Sequence, residues 1–235
     1  MAADRLVSAV VPVFNGKRFL VEALASIAAQ TYAPVEVILV DDGSTDGSAD
    51  LVVGFPAVQV LRQTNRGVAA ARNAGVAASR GELIAFLDQD DRWTADKLAL
   101  QVRRMTQRRD LAFTLAHQRL FLEPGAVRPG WLRPEHLEVE QIGYLPGTLV
   151  AWRRTFERVG AFEEADPIAS DTDWFLRAAD AGLGMEIMPE VLLERRIHAT
   201  NQSALTDLGH AELLRAVRRS VARKQVAGRG REDAL

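Results

Sequence analysis

The chain has 235 residues, 48% hydrophobic and 26% charged, with no cysteine and a formal net charge of −2. That composition suits one compact domain with an ample core and excludes intrinsic disorder for most of the length. It also excludes disulfides, a thiol nucleophile and cysteine-ligated zinc, and the near-balanced charge gives no global attraction to nucleic acid.

No stretch approaches the roughly 18 apolar residues that cross a bilayer. The apolar run from Val7 to Phe14 contains Pro12 and is followed by Asn15-Gly16, so it reads as a buried strand and a turn, not a signal peptide. Phe19, Leu20, Ala23, Leu24 and Ile27 then recur at helical spacing. Val35–Val40 is a second buried strand, ending in Asp41-Asp42-Gly43, after which Ser44 or Thr45 caps a short helix towards Val53. Val58–Leu61 is a third strand and Val68–Ser79 an alanine-rich helix between Gly67 and Gly81. Leu83–Leu87 is a fourth strand, ending in Asp88-Gln89-Asp90-Asp91, and Thr94 caps a helix to Gln107. Strands separated by helices imply right-handed crossovers and a parallel sheet, whose ligands bind beyond the carboxyl ends of the strands.

The second half is less regular. Leu111–His117 and Arg119–Leu122 read as strands, Glu123–Pro134 as a Pro- and Gly-bearing loop, and Thr148–Trp152 as a strand. Arg153–Val159 and Asp171–Ala181 read as helices closed by Gly160 and Gly182, with Met185–Ile197 extended. Ala211–Gln225 is an amphipathic helix whose stripe of Leu213, Leu214, Val217 and Val221 is expected to pack on the domain, leaving its basic residues in water; beyond Gly228 the tail frays.

Three acidic clusters carry candidate chemistry. Asp88, Asp90 and Asp91 follow an apolar strand directly, and crowded carboxylates repel unless a cation sits between them. Hard oxygen ligands suit magnesium or manganese; a polar turn with helix-start acids fits the spacing as well. Asp42 can accept a base N–H or a ribose hydroxyl, or simply belong to an Asp-Gly turn. Asp171 and Asp173 open a helix, where a carboxylate serves as general base or complements the helix dipole, and Asp173 can pair Arg177 one turn on. His198 follows Arg195-Arg196, a combination suited to metal and phosphate or to a solvated basic strand end.

The order and spacing of these pieces resemble a family 2 glycosyltransferase from about Val7 to Ser203. The resemblance rests on VSAVVPVFNGKRFLVEALASIAAQTYAPVEVILVDDGSTDGSADLV, NRGVAAARNAG, GELIAFLDQDDRWTADKL, SDTDWFLRAADAG and RIHATNQS. It implies the GT-A fold, an α/β architecture with a mostly parallel, Rossmann-like sheet flanked by helices. Residues 1–110 would form the nucleotide-sugar half, 111–205 the acceptor and catalytic half, and 206–235 a terminal helix and tail. Pro12, Val13, Phe14 and Asn15 would lie beside the base and ribose, with Asp42 on the base and Arg66 and Gly67 flanking it. Asp88-Gln89-Asp90 matches the DxD motif, so Asp90 would lead a manganese or magnesium site with His198; Asp88, facing the ribose or sugar, and Asp91 are further candidate ligands. Asp171 matches the base, with Asp173 as fallback, although Ser170 stands where family members carry a Glu.

The implied reaction is inverting transfer of one sugar from a nucleotide-diphosphate sugar to an acceptor hydroxyl. UDP is the preferred carrier, and GDP and TDP are compatible. The acceptor class is open among saccharide, lipid-linked glycan, peptide and small metabolite; the loop 123–134 and the stretch before Asp171 would select it, with Trp131, Trp152 and Trp174 as sugar-stacking candidates. The QxxRW motif of processive members is absent. A nicotinamide oxidoreductase would need a Gly-rich turn after the first strand, where VPVFNGKRF has one Gly. A sugar-nucleotide nucleotidyltransferase would need a basic Gly-rich loop near its start, and none is found there. An inactive domain that binds carbohydrate or a partner remains compatible with the same residues. The implied address is cytoplasmic, with peripheral contact at the inner membrane face through the terminal helix as an option.

Overall fold

The structure, a computed structural model, describes residues 5–55, 57–199, 201 and 206–232, excepting the side chains of 206–209 and 227–232. Thr200, Gln202 and Ser203 of the late His-containing segment lie outside the described residues.

β1 (Val7–Val13), β2 (Val35–Asp41), β3 (Val58–Arg62) and β4 (Leu83–Phe86) form a parallel core in the order β3-β2-β1-β4. Every residue of β1 is buried, as a strand covered by helices on both faces requires. α1 (Leu20–Ala28) buries Leu20, Ala23, Leu24 and Ile27, the stripe read from the sequence. The expected helix after Asp42 is a 3-10 turn at Ser48–Gly54. α2 (Val68–Ala78) lies close against β1, because Gly75 has no Cβ; one built there would stand 2.2 Å from Val10 Cγ1.

β5 (Arg92–Trp93) follows the acidic turn, and α3 (Lys97–Gln107) starts later than expected, so Thr94 does not cap it. β6 (Leu111–Leu122) is one long strand instead of two, with irregular register between Ala116 and Gln118. The loop 123–134 leads to α4 (Glu135–Glu138) and β7 (Gln141–Ile142). β8 (Val150–Trp152), α5 (Arg153–Val159), α6 (Ser170–Asp180) and β9 (Gly184–Ile197) follow. β8 runs antiparallel to both β4 and β6, while β9 is parallel to β6 and β5 antiparallel to β9. β1 to β4, β6 and β9 therefore share one direction, and β5, β7 and β8 oppose it. Among the described residues one nine-stranded sheet runs through both halves, with a core on each face. The core on the α6 side is aromatic: Phe86, Phe113, Phe156, Phe162 and Phe175 pack around the fully buried Trp174. Trp152 is core as well, and the indole N–H groups of both tryptophans donate to backbone carbonyls, so neither stacks on a sugar.

α7 (Thr206–Glu232) corrects the expectation for the terminal helix. Leu213, Leu214, Val217 and Val221 face outward, while Glu212, Ala216 and Ser220 are buried against the domain. The physical reason is ionic. α6 and the loop before it present Asp166, Asp173 and Asp180, and Arg215, Arg219 and Arg223 dock on them at 2.6 to 3.1 Å.

Candidate active site

A cleft of about 670 Å³ opens at the carboxyl ends of β1, β2, β4 and β9 and beside the first turn of α6. It is lined by Pro12, Val13, Phe14, Asn15, Asp42, Gly67, Asp88, Gln89, Asp90, Asp91, Asp171 and His198. Arg66 and Asp173 are outside that lining.

The turn after β1 is laced in place. Asn15 has a left-handed backbone, φ 51°; its N–H donates to Ser44 Oγ at 3.0 Å, and its Oδ1 accepts from the Thr45 N–H at 2.9 Å. Gln89 is a clasp: its Oε1 accepts from the Phe14 N–H at 2.8 Å and its Nε2 donates to the Phe14 carbonyl at 3.0 Å. The clasp crosses Gly16, where a Cβ would come within 2.3 Å of Gln89 Oε1. The amide of Gln89, the middle residue of the DxD match, is thus spent on the backbone. Phe14 keeps its ring 45% exposed at the cleft.

Asp42 is spent in a similar way. Its carboxylate accepts from Gln63 Nε2 at 2.7 Å, the Arg66 N–H at 2.9 Å and the Gly67 N–H at 2.8 Å. A carboxylate has about four lone-pair sites, so roughly one is left for a base N–H. Arg66 enters this arrangement by its backbone; its guanidinium pairs Glu164 at 2.7 Å, a correction to its expected place against the base.

The acids after β4 diverge in role. Asp88 Oδ1 accepts from Arg72 Nη2 at 2.8 Å. Asp90 Oδ2 lies 2.8 Å from His198 Nε2 and 3.3 Å from Asn201 Nδ2. Asp91 is buried and accepts from the Arg196 N–H at 2.8 Å. Burial pushes its carboxyl well above the usual range, and the charges of Asp90 and Asp88 add to this. Asp91 therefore tethers β9 to the acidic turn. The two late arginines also part ways. Arg195 lines the cleft, whereas buried Arg196 pairs Glu22 at 2.6 Å and Glu123, and stacks between Phe19 and Phe121.

Among the described residues no three His, Cys, Asp or Glu side chains form a self-sufficient metal group. Asp90 and His198 still fit two adjacent positions. Ligands at right angles on ~2.1 Å magnesium bonds stand about 3 Å apart, and these two are 2.8 Å apart. Magnesium characteristically leaves other positions to substrate phosphates.

Asp171 sits half-buried on the first turn of α6. Its Oδ1 accepts from the Thr172 N–H at 2.6 Å; among the described residues Oδ2 accepts no hydrogen bond. Burial raises its pKa above the ordinary value, opposed by Arg72 and the Thr172 N–H and reinforced by the charge of Asp88. Asp173 is buried, with Arg177 at 2.7 Å on Oδ2 and Arg219 at 3.1 Å on Oδ1. It serves packing between α6 and α7, which corrects its fallback role.

Sequence reasoning overlooked Arg72 and Glu212. Arg72, from α2, is 6% exposed in the cleft wall, and its buried Nε has no hydrogen-bond partner among the described residues. The available signal was a lone cation on an alanine-rich helix. Glu212, from α7, accepts from the backbone N–H groups of Ile168 and Ala169 at 2.7 and 3.0 Å. It holds the entry to α6 from outside, because the N-cap residue there, Ala169, has no side-chain acceptor of its own. Glu212→Ala orphans both N–H groups and should cost about 2 kcal/mol in urea unfolding; a loss under about 0.5 kcal/mol would contradict that role. Pro167 and Ile168, in the stretch before Asp171, line the cleft; no residue of the loop 123–134 does.

Residues 8–160 match the family model described as "Glycosyl transferase family 2". The glycosyltransferase GlyG of Streptococcus pneumoniae is 46% identical over 93 residues, 37% of this chain and 31% of that protein. WfgD of Escherichia coli, named a UDP-Glc:alpha-D-GlcNAc-diphosphoundecaprenol beta-1,3-glucosyltransferase, is 37% identical over 105 residues, 43% of this chain and 42% of WfgD. These matches therefore span less than half the length of either relative. In fold, the chain is similar to Staphylococcus aureus TarS residues 1–349 in complex with UDP-GlcNAc. That likeness has a TM-score of 0.74 at 17% identity, over 93% of this chain and 66% of the other.

Proposed function

The chain belongs to the family 2 glycosyltransferases, and we propose that its cleft binds a nucleotide-diphosphate sugar, a uridine one first, and passes one sugar to an acceptor hydroxyl with inversion. One observation carries the proposal: Asp171, with a raised pKa and an oxygen that accepts no hydrogen bond among the described residues, shares a single cleft with Asp88, Asp90 and Arg72. A carboxylate of raised pKa is a better proton acceptor. The complex of TarS with UDP-GlcNAc and the name of WfgD, which gives UDP-Glc, support the uridine carrier.

In this reading Phe14 offers its exposed ring to the base, and Asp42 holds the 63–67 loop and accepts a base N–H with its remaining lone pair. Asp88, oriented by Arg72, faces the ribose or sugar. Asp90 and His198 would hold magnesium or manganese, which when bound supplies positive charge to the diphosphate. Arg72 and Arg195 place fixed positive charge at the cleft, where a leaving diphosphate gains negative charge. Asp171 takes the proton of the acceptor hydroxyl, which attacks the anomeric carbon from the face opposite the diphosphate. Pro167 and Ile168 stand beside Asp171 and are the specificity candidates for the acceptor.

The proposal is tested by incubating the protein with UDP-sugars, manganese and a panel of hydroxyl acceptors (saccharides, lipid-linked glycans, peptides and small metabolites) and following UDP release and the anomeric configuration of the product by NMR. A β-linked product from an α-linked donor is expected. A retained configuration would contradict inversion, and no turnover of any nucleotide sugar by the folded protein would contradict the reaction. The rate should also fall on acidification through a pKa above that of an ordinary aspartate, because protonated Asp171 cannot accept a proton. A flat kcat profile down to the range of an ordinary aspartate would remove Asp171 from that role.

A further inference from the structure

α7 is amphipathic in an inverted sense. Its ionic face grips the domain, and its apolar face is left outside. Leu213, Leu214, Val217 and Val221 are 41, 57, 42 and 49% exposed. At about 100° per residue these four fall within about 100° of arc, one continuous stripe.

The charges around the stripe are one-sided. From 210 to 226 the only acid is Glu212, and it is buried beneath the helix on Ile168 and Ala169. The partner acids Asp166, Asp173 and Asp180 also lie beneath, with side chains 5, 3 and 7% exposed. Arg215 and Lys224, though paired with Asp166 and Asp180 at 2.6 and 3.4 Å, are still 51 and 67% exposed, and exposed Arg218 forms no salt bridge with a described residue. The outward surface is therefore an apolar stripe rimmed by cations.

We propose that this face docks α7, in the plane of the interface, on an anionic lipid surface. An apolar stripe enters the acyl boundary while flanking cations meet anionic headgroups, and the two contributions act together. No described helix is long and apolar enough to cross a membrane, so the helix lies on the surface. A second copy of the chain is the poorer occupant, because two-fold pairing of this face sets its rim of cations against the same rim. The inference does not depend on the transfer reaction, and its test uses none.

The test is flotation of the full chain with phosphatidylcholine vesicles, with and without about one-third phosphatidylglycerol. The protein should float with the anionic vesicles at least ten times more than with the neutral ones, and less as salt rises. The Leu214→Glu/Val221→Glu variant, altered only at outward positions, should stay in the pellet with an unchanged melting temperature. Should that pair disturb α7, Arg218→Glu/Lys224→Glu tests the same face through its charged rim. No flotation with anionic vesicles, or equal flotation of wild type and both variants, overturns the proposal. So does a dimer in light scattering that the apolar variant abolishes, which would assign the stripe to a second copy.

Discussion

Asp171→Asn should keep the donor and lose the reaction. Asparagine preserves shape and accepts the Thr172 N–H, so the first turn of α6 stays formed. It cannot take a proton, and removal of a positioned base costs about 10²- to 10⁴-fold in rate. Donor affinity, measured separately, should change less than about threefold, because the proposed donor contacts lie on other elements. The same variant should be more stable than wild type at neutral pH. A carboxyl whose pKa is raised by folding is bound more weakly as an anion in the folded state than in the unfolded state. Stability is therefore lost as pH rises from the unfolded pKa through the folded one, and above both the penalty is constant. Asparagine removes it, so the melting temperature should rise at pH 7 and the gain should vanish below the ordinary aspartate pKa. Full transfer activity would take the base role from Asp171; a lower melting temperature at pH 7 would contradict the burial cost.

Asp90→Ala should abolish the metal-dependent part of nucleotide binding. Asp90 is the acid of the turn whose carboxylate meets His198, whereas Asp88 is held by Arg72 and Asp91 is turned to the β9 backbone. Manganese should tighten UDP binding to the wild type at least tenfold and leave the variant unaffected. The fold should survive, since the Asp90 main chain, which accepts from Arg196 Nε at 3.0 Å, is unchanged. Unaltered manganese-dependent UDP affinity would remove Asp90 from the metal site.

The frame of this site was legible because strand ends are. Hydrophobic runs marked β1, β2 and β4, and topology then requires Asn15, Asp42 and Asp88–Asp91 to gather at one edge of a parallel sheet. What a polar residue does at that edge was not legible. Gln89, Asp42 and Asp91 look as free as Asp88 and Asp90 in the sequence, yet each accepts from a backbone N–H of a segment 24 or more residues away. Such partners exist only after folding. The same holds for Arg196, which reads as a phosphate-binding neighbour of Arg195 and instead joins Glu22 to Glu123.

The terminal helix shows the limit of pattern reading. Periodicity correctly placed Leu213, Leu214, Val217 and Val221 on one stripe, but it cannot say which surface receives the helix. The neighbouring surface offered three aspartates, so the ionic side docked and the apolar side was left outward. β6 differs from its expected two pieces because Gln118 turns inward and is buried, so polarity near His117–Arg119 marks an irregular register and not a break.

Titration calorimetry of UDP and GDP, each with and without manganese, tests the nucleotide-sugar cleft most directly. Manganese-dependent binding that favours UDP is the expected result. Absence of binding by either nucleotide, and by TDP, to a protein with intact circular dichroism would contradict the account and leave a family 2 fold that serves as a binding module.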